Sequence, residues 1–313
     1  MSVEDPGSGH VPVLLEAVLE ALAVRPDGRY VDGTFGRGGH SRALLERLGA
    51  GGRLLAIDRD PEAVAAADRA LLDDPRFEVV KGEIGEIRSI AASRNLLGEV
   101  DGLLLDLGVS SPQLDQPERG FSFRHDGPLD MRMDPTRGIT AAEWLASVDE
   151  KELRQVLSKY GEERHAARIA RAIVARRRER PIARTRELAS IVEDAVPAGG
   201  RRIHPATKTF QAIRMVVNDE LGQLERALEA APDVLRPGGR LCVISFHSLE
   251  DRMVKRFMRA ASREPEAWRG MPDVPAEHRP RLAVLGRAVK ASPEEVRANP
   301  RARSARLRVA ERL

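Results

Sequence analysis

Cysteine is nearly missing from this sequence: Cys242 is the single one among 313 residues. That excludes an internal disulfide framework and any cysteine-rich metal site, and it fits a soluble, reducing compartment such as the cytoplasm. The seven histidines stand in no ligand spacing with it, which argues against a metal-dependent catalyst. Long hydrophobic runs are also missing. Stretches such as Leu103–Leu105 are short and broken by charge, so no segment is expected to span a bilayer. The opening MSVEDPGSGH carries acids and no apolar run, unlike a signal peptide. Lysine is scarce, six against 45 arginines. Such a skew can follow genomic base composition, so only local clusters of arginine carry weight. Charge of one sign is not in excess either: the net charge is +3 despite a pI near 9.3.

What the chain does have is a hydrophobic fraction of 42%, enough for one large or two ordinary folded domains. Short apolar runs predict strands at Tyr30–Val31, Arg53–Ile57, Phe77–Val80, Val100–Leu107 and Leu241–Phe246, with RPGG before the last read as a turn. Ser41–Leu48 and Pro61–Leu72 read as helices between them. Continuous apolar strands alternating with helices predict an α/β fold with a parallel sheet buried on both faces. Leu282–Lys290 and Ala305–Glu311 add two closing strands. The long interval between the fourth and fifth strands reads as helical. Asp149–Arg180 has helical periodicity, Thr185–Val196 opens with Thr185 as a cap, and Thr209–Ala230 is a long amphipathic helix. The expected organisation is a discontinuous catalytic domain, 1–111 and 209–313, with a helical insertion at 112–208.

Between the first strand and its helix lies DGTFGRGGH, residues 32–40. Glycines there let a ligand approach the backbone, and a helix N-terminus favours electron-rich groups. The next strand ends in Asp58, twenty residues beyond Gly38, where an acid can take two ribose hydroxyls. A nucleoside cofactor follows, and two fit: a nicotinamide dinucleotide and S-adenosylmethionine. The dinucleotide frame G-x-G-x-x-G starting at Gly36 would need glycine where Ser41 stands. Asp-x-x-x-Gly-x-Gly instead matches the first methyltransferase motif, with Thr34 in place of its usual first glycine. In DGLLLDLGVSSPQLD, Asp106 ends the fourth strand, at the crevice where open α/β sheets bind ligands. An acid there can attract a sulfonium or accept a hydrogen bond from an amine; it can also simply cap a turn. His247 follows the fifth strand in SFHSLED, where it could collect a released proton or merely bond loop backbone.

These blocks, with ERGFSFRHDGPLDMRMDP, YGEERHAARIARAI, HPATKTFQAIRMVVNDEL and LRPGGRLCVISFHSLEDRMVKRF, resemble the RsmH (MraW) family over nearly the whole chain. The resemblance implies a Rossmann-like S-adenosylmethionine-dependent methyltransferase that modifies cytosine N4 at the decoding site of small-subunit (16S) ribosomal RNA. It implies cofactor contacts at Gly38, Gly39 and His40, with Asp58 on the ribose and Asp106 near the methyl-donor end. Gln113 should line the pocket, and Ile84 should flank the adenine in place of an aromatic. Asp106 and His247 are the candidate catalytic residues. The partner implied is small-subunit ribosomal RNA or the assembled small subunit, with no membrane role.

A phosphate-binding face is one reading of Arg176, Arg177, Arg178, Arg180, Arg184 and Arg186, together with Arg164, Arg168 and Arg171; a solvated helix is the other. Phe121 and Phe123 could stack a base or pack under a loop, Met131 and Met133 read as packing, and His204 as fixing the start of a helix. Two rival functions use the same residues: an NAD-dependent dehydrogenase with a helical substrate domain, and a non-catalytic RNA-binding ribosome assembly factor.

Overall fold

Seven strands make one sheet: β1 (Arg29–Asp32), β2 (Arg53–Asp58), β3 (Phe77–Lys81), β4 (Val100–Asp106), β5 (Leu235–Ser245), β6 (Leu282–Lys290) and β7 (Arg306–Arg312). They belong to a computed structural model that describes residues 12–197, 204–268, 270–271 and 273–313. The opening MSVEDPGSGH, expected not to be a signal peptide, lies outside the described residues. The chain divides into two compact units, Met1–Gly108 with Gly222–Leu313, and Val109–Leu221. The expected borders were 111/112 and 208/209.

The sheet order is β3-β2-β1-β4-β5-β7-β6. Strands β1 to β5 run parallel, and β7 runs antiparallel between β5 and β6. The reversed β7 departs from the all-parallel 3-2-1-4-5-6 order of dinucleotide-binding dehydrogenases. Strand β4 is buried along nearly its whole length, as the apolar run Leu103–Leu105 predicts. Its side chains alternate between two cores. Leu103 and Leu105 pack with Ile87, Leu224, Val254 and Met258 on one face, and Leu104 packs with Val18, Leu44 and Leu45 on the other. RPGG is not a turn before β5 but part of it. Register passes from Val100↔Leu235 to Gly102↔Arg240, so the segment bulges from the ladder.

The helices in chain order are α1 (Leu15–Leu22), α2 (Gly39–Arg47), α3 (Pro61–Ala65), α4 (Arg69–Leu72), α5 (Ile87–Ala92), α6 (Ser111–Asp115), α7 (Ala141–Ser147), α8 (Glu150–Lys159), α9 (Ala166–Glu179), α10 (Thr185–Ala195), α11 (Thr207–Val217), α12 (Glu220–Val234), α13 (Ser248–Ala261) and α14 (Pro293–Ala298). The single helix expected over Pro61–Leu72 is two. Asp68 caps a new start by accepting the Leu71 N–H at 3.0 Å, because a short acidic side chain competes with the helical backbone for its own bonds.

The Val109–Leu221 unit packs helices around its own apolar core, including Leu145, Leu153, Leu157, Ile169, Ile173, Leu188 and Ile213. The long helix expected over Thr209–Ala230 is broken at Asn218–Asp219, where Asp219 is left-handed at φ 47°. Buried Asn218 explains the break. Its amide donates to Met131 O at 2.7 Å and to Arg214 O at 2.9 Å, and its carbonyl accepts the Met133 N–H at 2.7 Å, so it ties the end of α11 to a loop. Thr185 is the first helical residue of α10 and not its cap; its hydroxyl accepts the Gly127 N–H at 3.1 Å. Among the described residues no helix is long and apolar enough to cross a membrane.

Candidate functional site

Strand order reverses between β1 and β4, the switch point outside whose carboxyl ends open α/β sheets bind ligands. Asp32 ends β1 and Asp106 ends β4, on adjacent strands. β4 also carries an acid at its other end, and the contrast is informative. Asp101 is fully engaged, with Arg25 at 2.6 Å and Arg236 at 2.5 Å. Asp106 keeps one carboxylate oxygen, Oδ1, buried without a hydrogen-bond partner. One acid holds the sheet together; the other is left available.

The glycine loop links the strand tips. Gly33 N–H donates to Leu104 O at 2.9 Å and Phe35 N–H to Ile57 O at 2.9 Å, so the loop spans β4, β1 and β2. Thr34, which departs from the usual glycine, accepts the Asp106 N–H on its hydroxyl at 2.7 Å. Gly38 stands at the N-cap of α2 with φ 74°, a left-handed conformation that disfavours other residues, and no side chain caps this helix. At Gly39 a Cβ would lie 2.4 Å from Pro12 Cγ. These glycines therefore let α2 begin tight against the loop with its first amides uncovered by side chains, the arrangement that receives anionic groups.

His40, 6% exposed, sits at the first turn of α2 with Nε2 3.5 Å from Asp106 Oδ2. That is an ion-pair distance without hydrogen-bond alignment, and neither imidazole nitrogen has a hydrogen-bond partner. Burial works against protonation, yet the Asp106 carboxylate, helped by Asp32, holds the imidazole above its usual pKa. Asp32 is 1% exposed and accepts from Ser41 Oγ at 2.7 Å and from Thr34 N–H at 3.1 Å. Burial pushes its pKa up. The result is a carboxylate–imidazole–carboxylate cluster at the strand tips.

Asp58 forms the other side. Its Oδ2 accepts the Gly36 N–H at 2.7 Å and its Oδ1 the Asp60 N–H at 2.8 Å. Burial raises its pKa from 3.8 to about 6 against those two bonds. Ile84 opens a short 3-10 turn after β3, and its Cγ2 would lie 3.6 Å from a Cβ at Gly33. Ile84 therefore reaches the glycine loop. Beside it, Glu83 pairs with Arg59 at 3.1 Å and with Gln223, whose carbonyl accepts the Gly85 N–H at 3.1 Å. Gly38, Gly39, His40, Asp58, Ile84 and Asp106 are thus gathered within one unit. Asp32, Ser41 and Thr34 were not singled out as site residues. The Asp that opens the methyltransferase-like spacing was the signal for the first of them.

Other sequence candidates have local duties. His247 caps α13: its Nδ1 accepts the Glu250 N–H at 3.4 Å, and its Nε2 lies 3.1 Å from Glu250 Oε1. The first contact engages Nδ1 with the backbone of the first turn of α13. The Gln113 carbonyl accepts the Ser110 N–H at 3.0 Å and closes a capping box in the Val109–Leu221 unit. Phe121 is buried beneath Arg119, and Phe123 packs between His204 and Phe210 at 4.3 and 4.9 Å. Met131 and Met133 are buried. His204 accepts the Ala206 N–H at 3.2 Å at the start of α11.

The arginine cluster divides. Arg180 pairs with Glu187, Arg184 with Asp126, Arg177 donates to Leu145 O and Arg186 to Arg124 O. Arg164, Arg168, Arg171 and Arg178 are exposed and have no side-chain partner among the described residues. Cys242 is fully buried, and desolvation pushes its thiol up to about 12, which removes it from any reactive role.

A sequence model of the MraW methylase family matches residues 7–313. Among solved structures, the chain is similar to an rRNA-methylase candidate from Clostridium thermocellum, with 12% identity, a TM-score of 0.46, and coverage of 98% of this chain and 100% of that one. It is similar also to an rRNA methylase from Streptococcus thermophilus, with 11% identity, a TM-score of 0.43, and coverage of 97% and 99%.

Proposed function

The chain belongs to the MraW methylase family, and on that premise we propose that it methylates the exocyclic N4 of a cytidine at the decoding site of small-subunit ribosomal RNA. The methyl donor of this family is S-adenosylmethionine. The residues at the corner fit it. Asp58 offers acceptor oxygens to a ribose, the uncapped start of α2 suits the donor's carboxylate, and Ile84 gives an apolar face for a purine. Bound there, the donor supplies an electrophilic methyl group on a cationic sulfur.

The observation that carries the reading is Asp106. Cytosine N4 is a poor nucleophile because its lone pair is delocalised into the ring. A carboxylate oxygen that accepts an N4–H localises that pair and aims it. Asp106 Oδ1 is such an acceptor, buried and without a partner. Its N–H is tied to Thr34 Oγ1, so strand β4 and the glycine loop hold it in place. His40 beside it pairs with the Asp106 carboxylate, which holds the imidazole above its usual pKa. Orientation of this kind supplies roughly 7–11 kcal/mol in well-aligned systems, the largest contribution asked of the protein. The proton leaving N4 is accepted at Asp106 Oδ1 and passes to solvent; His247 is not needed for it.

Mass mapping of the decoding-site cytidine in cells with and without the gene tests the reading. Methylation that persists unchanged without the gene defeats it. Labelled donor offered with naked ribosomal RNA and with assembled small subunits then tells which is the substrate.

A further inference from the structure

The catalytic unit carries a second concave feature that shares no residue with the corner. It lies between α13 and the β6–β7 pair and holds about 270 Å³. Its floor is apolar, with Met258, Leu285 and Val309. Its walls are cationic. Lys255, Arg259 and Arg263 recur at every fourth residue along α13 and just past its end, so they line one side, and Arg287 lines the cleft from β6. The ladder between β6 and β7 shifts register between Leu285 and Val289. That shift lifts residues 286–288 out of strand pairing and into the cleft wall.

The charge is uncompensated. Among the described residues no acid lines the cleft. Arg308, its fifth cation, pairs with Asp251 at 2.7 Å, a carboxylate it shares with Arg306. Lys255, Arg259, Arg263 and Arg287 are all exposed and have no side-chain hydrogen bond or ion pair among the described residues. Many other arginines of this chain are paired, including Arg76, Arg132, Arg214 and Arg240. Four adjacent unpaired cations repel one another, and a bound polyanion relieves that repulsion. Position adds direction. Helix α13 starts three residues past the tip of β5 and rises 1.5 Å per residue, so Lys255 lies roughly 10 Å and Arg259 roughly 17 Å along it. The basic strip therefore leads away from the strand tips over a span of several nucleotides.

We propose that this cleft binds the phosphate backbone of the substrate RNA beside the target base, by charge and not by sequence. The inference rests on ribosomal RNA being the substrate. Fluorescence anisotropy with a labelled single-stranded RNA of decoding-region sequence tests it, with donor binding by calorimetry as the check on folding. The triple variant Lys255→Ala, Arg259→Ala, Arg263→Ala should bind this RNA at least about ten-fold more weakly at low salt. Its log–log salt slope should flatten by about 2, near 0.7 for each lost contact on a single strand. Arg287→Glu should weaken binding and Arg287→Lys should keep it, while donor affinity stays within about two-fold in all. Unchanged RNA affinity and slope in the triple variant overturns the proposal. So does tripolyphosphate that binds through these residues without displacing RNA, which marks a small-anion site. An active methyltransferase with an indifferent triple variant refutes the cleft alone. RNA bound through the cleft with no methylation refutes the functional reading alone.

Discussion

At the scale of single residues the corner is an exercise in shifted proton affinities. Asp58 is raised from 3.8 to about 6 by burial. An acid raised on folding holds its proton more tightly folded than unfolded. Its contribution therefore favours the fold below 3.8 and is lost as pH rises through about 6. Donor binding has the opposite sign, because the carboxylate is the form that accepts ribose hydroxyls. Calorimetric affinity for S-adenosylmethionine should fall about ten-fold between roughly pH 7.5 and 5, and Asp58→Asn should flatten that profile. Asp106→Asn should keep donor affinity within about ten-fold and lower kcat by about 10²–10³, the usual cost of losing one preorganised polar group. Full turnover in that variant removes Asp106 from the mechanism.

Elements place these residues, and two helix starts matter most. At α2, Gly39→Ala sets a Cβ against Pro12, 2.4 Å away, and should lower stability by about 1–3 kcal/mol while weakening the donor. Thermal melts with and without S-adenosylmethionine read both effects. At α13, His247→Ala should cost about 1 kcal/mol as a lost cap, and His247→Asn should restore stability because Asn caps well. Turnover in the Asn variant should stay within about three-fold of the parent. A loss near 10² in a well-folded His247→Asn protein would reinstate the imidazole as a base.

On the scale of the molecule, the chain forms a sheet unit and builds a separate core in the helical unit. That unit carries its own candidate RNA surface. Arg168, Arg171 and Arg178 have no partner among the described residues and share a face of α9 by their spacing, whereas Arg180 and Arg184 are spent on Glu187 and Asp126. Reversing the first three to Glu should weaken RNA binding across sequences and flatten its salt dependence, while Arg180→Ala and Arg184→Ala should alter melting more than RNA affinity. Filter binding at three salt concentrations separates the two sets.

Strands, sheet class and most of the corner were legible because local pattern dictates them. A short apolar run such as Leu103–Leu105 has few options but a strand buried on both faces, and the spacing of Asp32, Gly36, Gly38 and Asp58 follows from a loop that must close over adjacent strand ends. Tertiary partners decided the rest. Asn218 breaks a helix because two loop carbonyl and amide groups claim it; Asp68 splits another; His247 and Gln113 take part in caps. Among nine arginines of similar appearance, nearby acids and carbonyls chose which are tied down and which stay exposed without a partner among the described residues. Composition and periodicity report what a segment can bury, but a polar side chain's role depends on which partner from elsewhere in the chain reaches its hydrogen-bonding atoms, and folding alone supplies that.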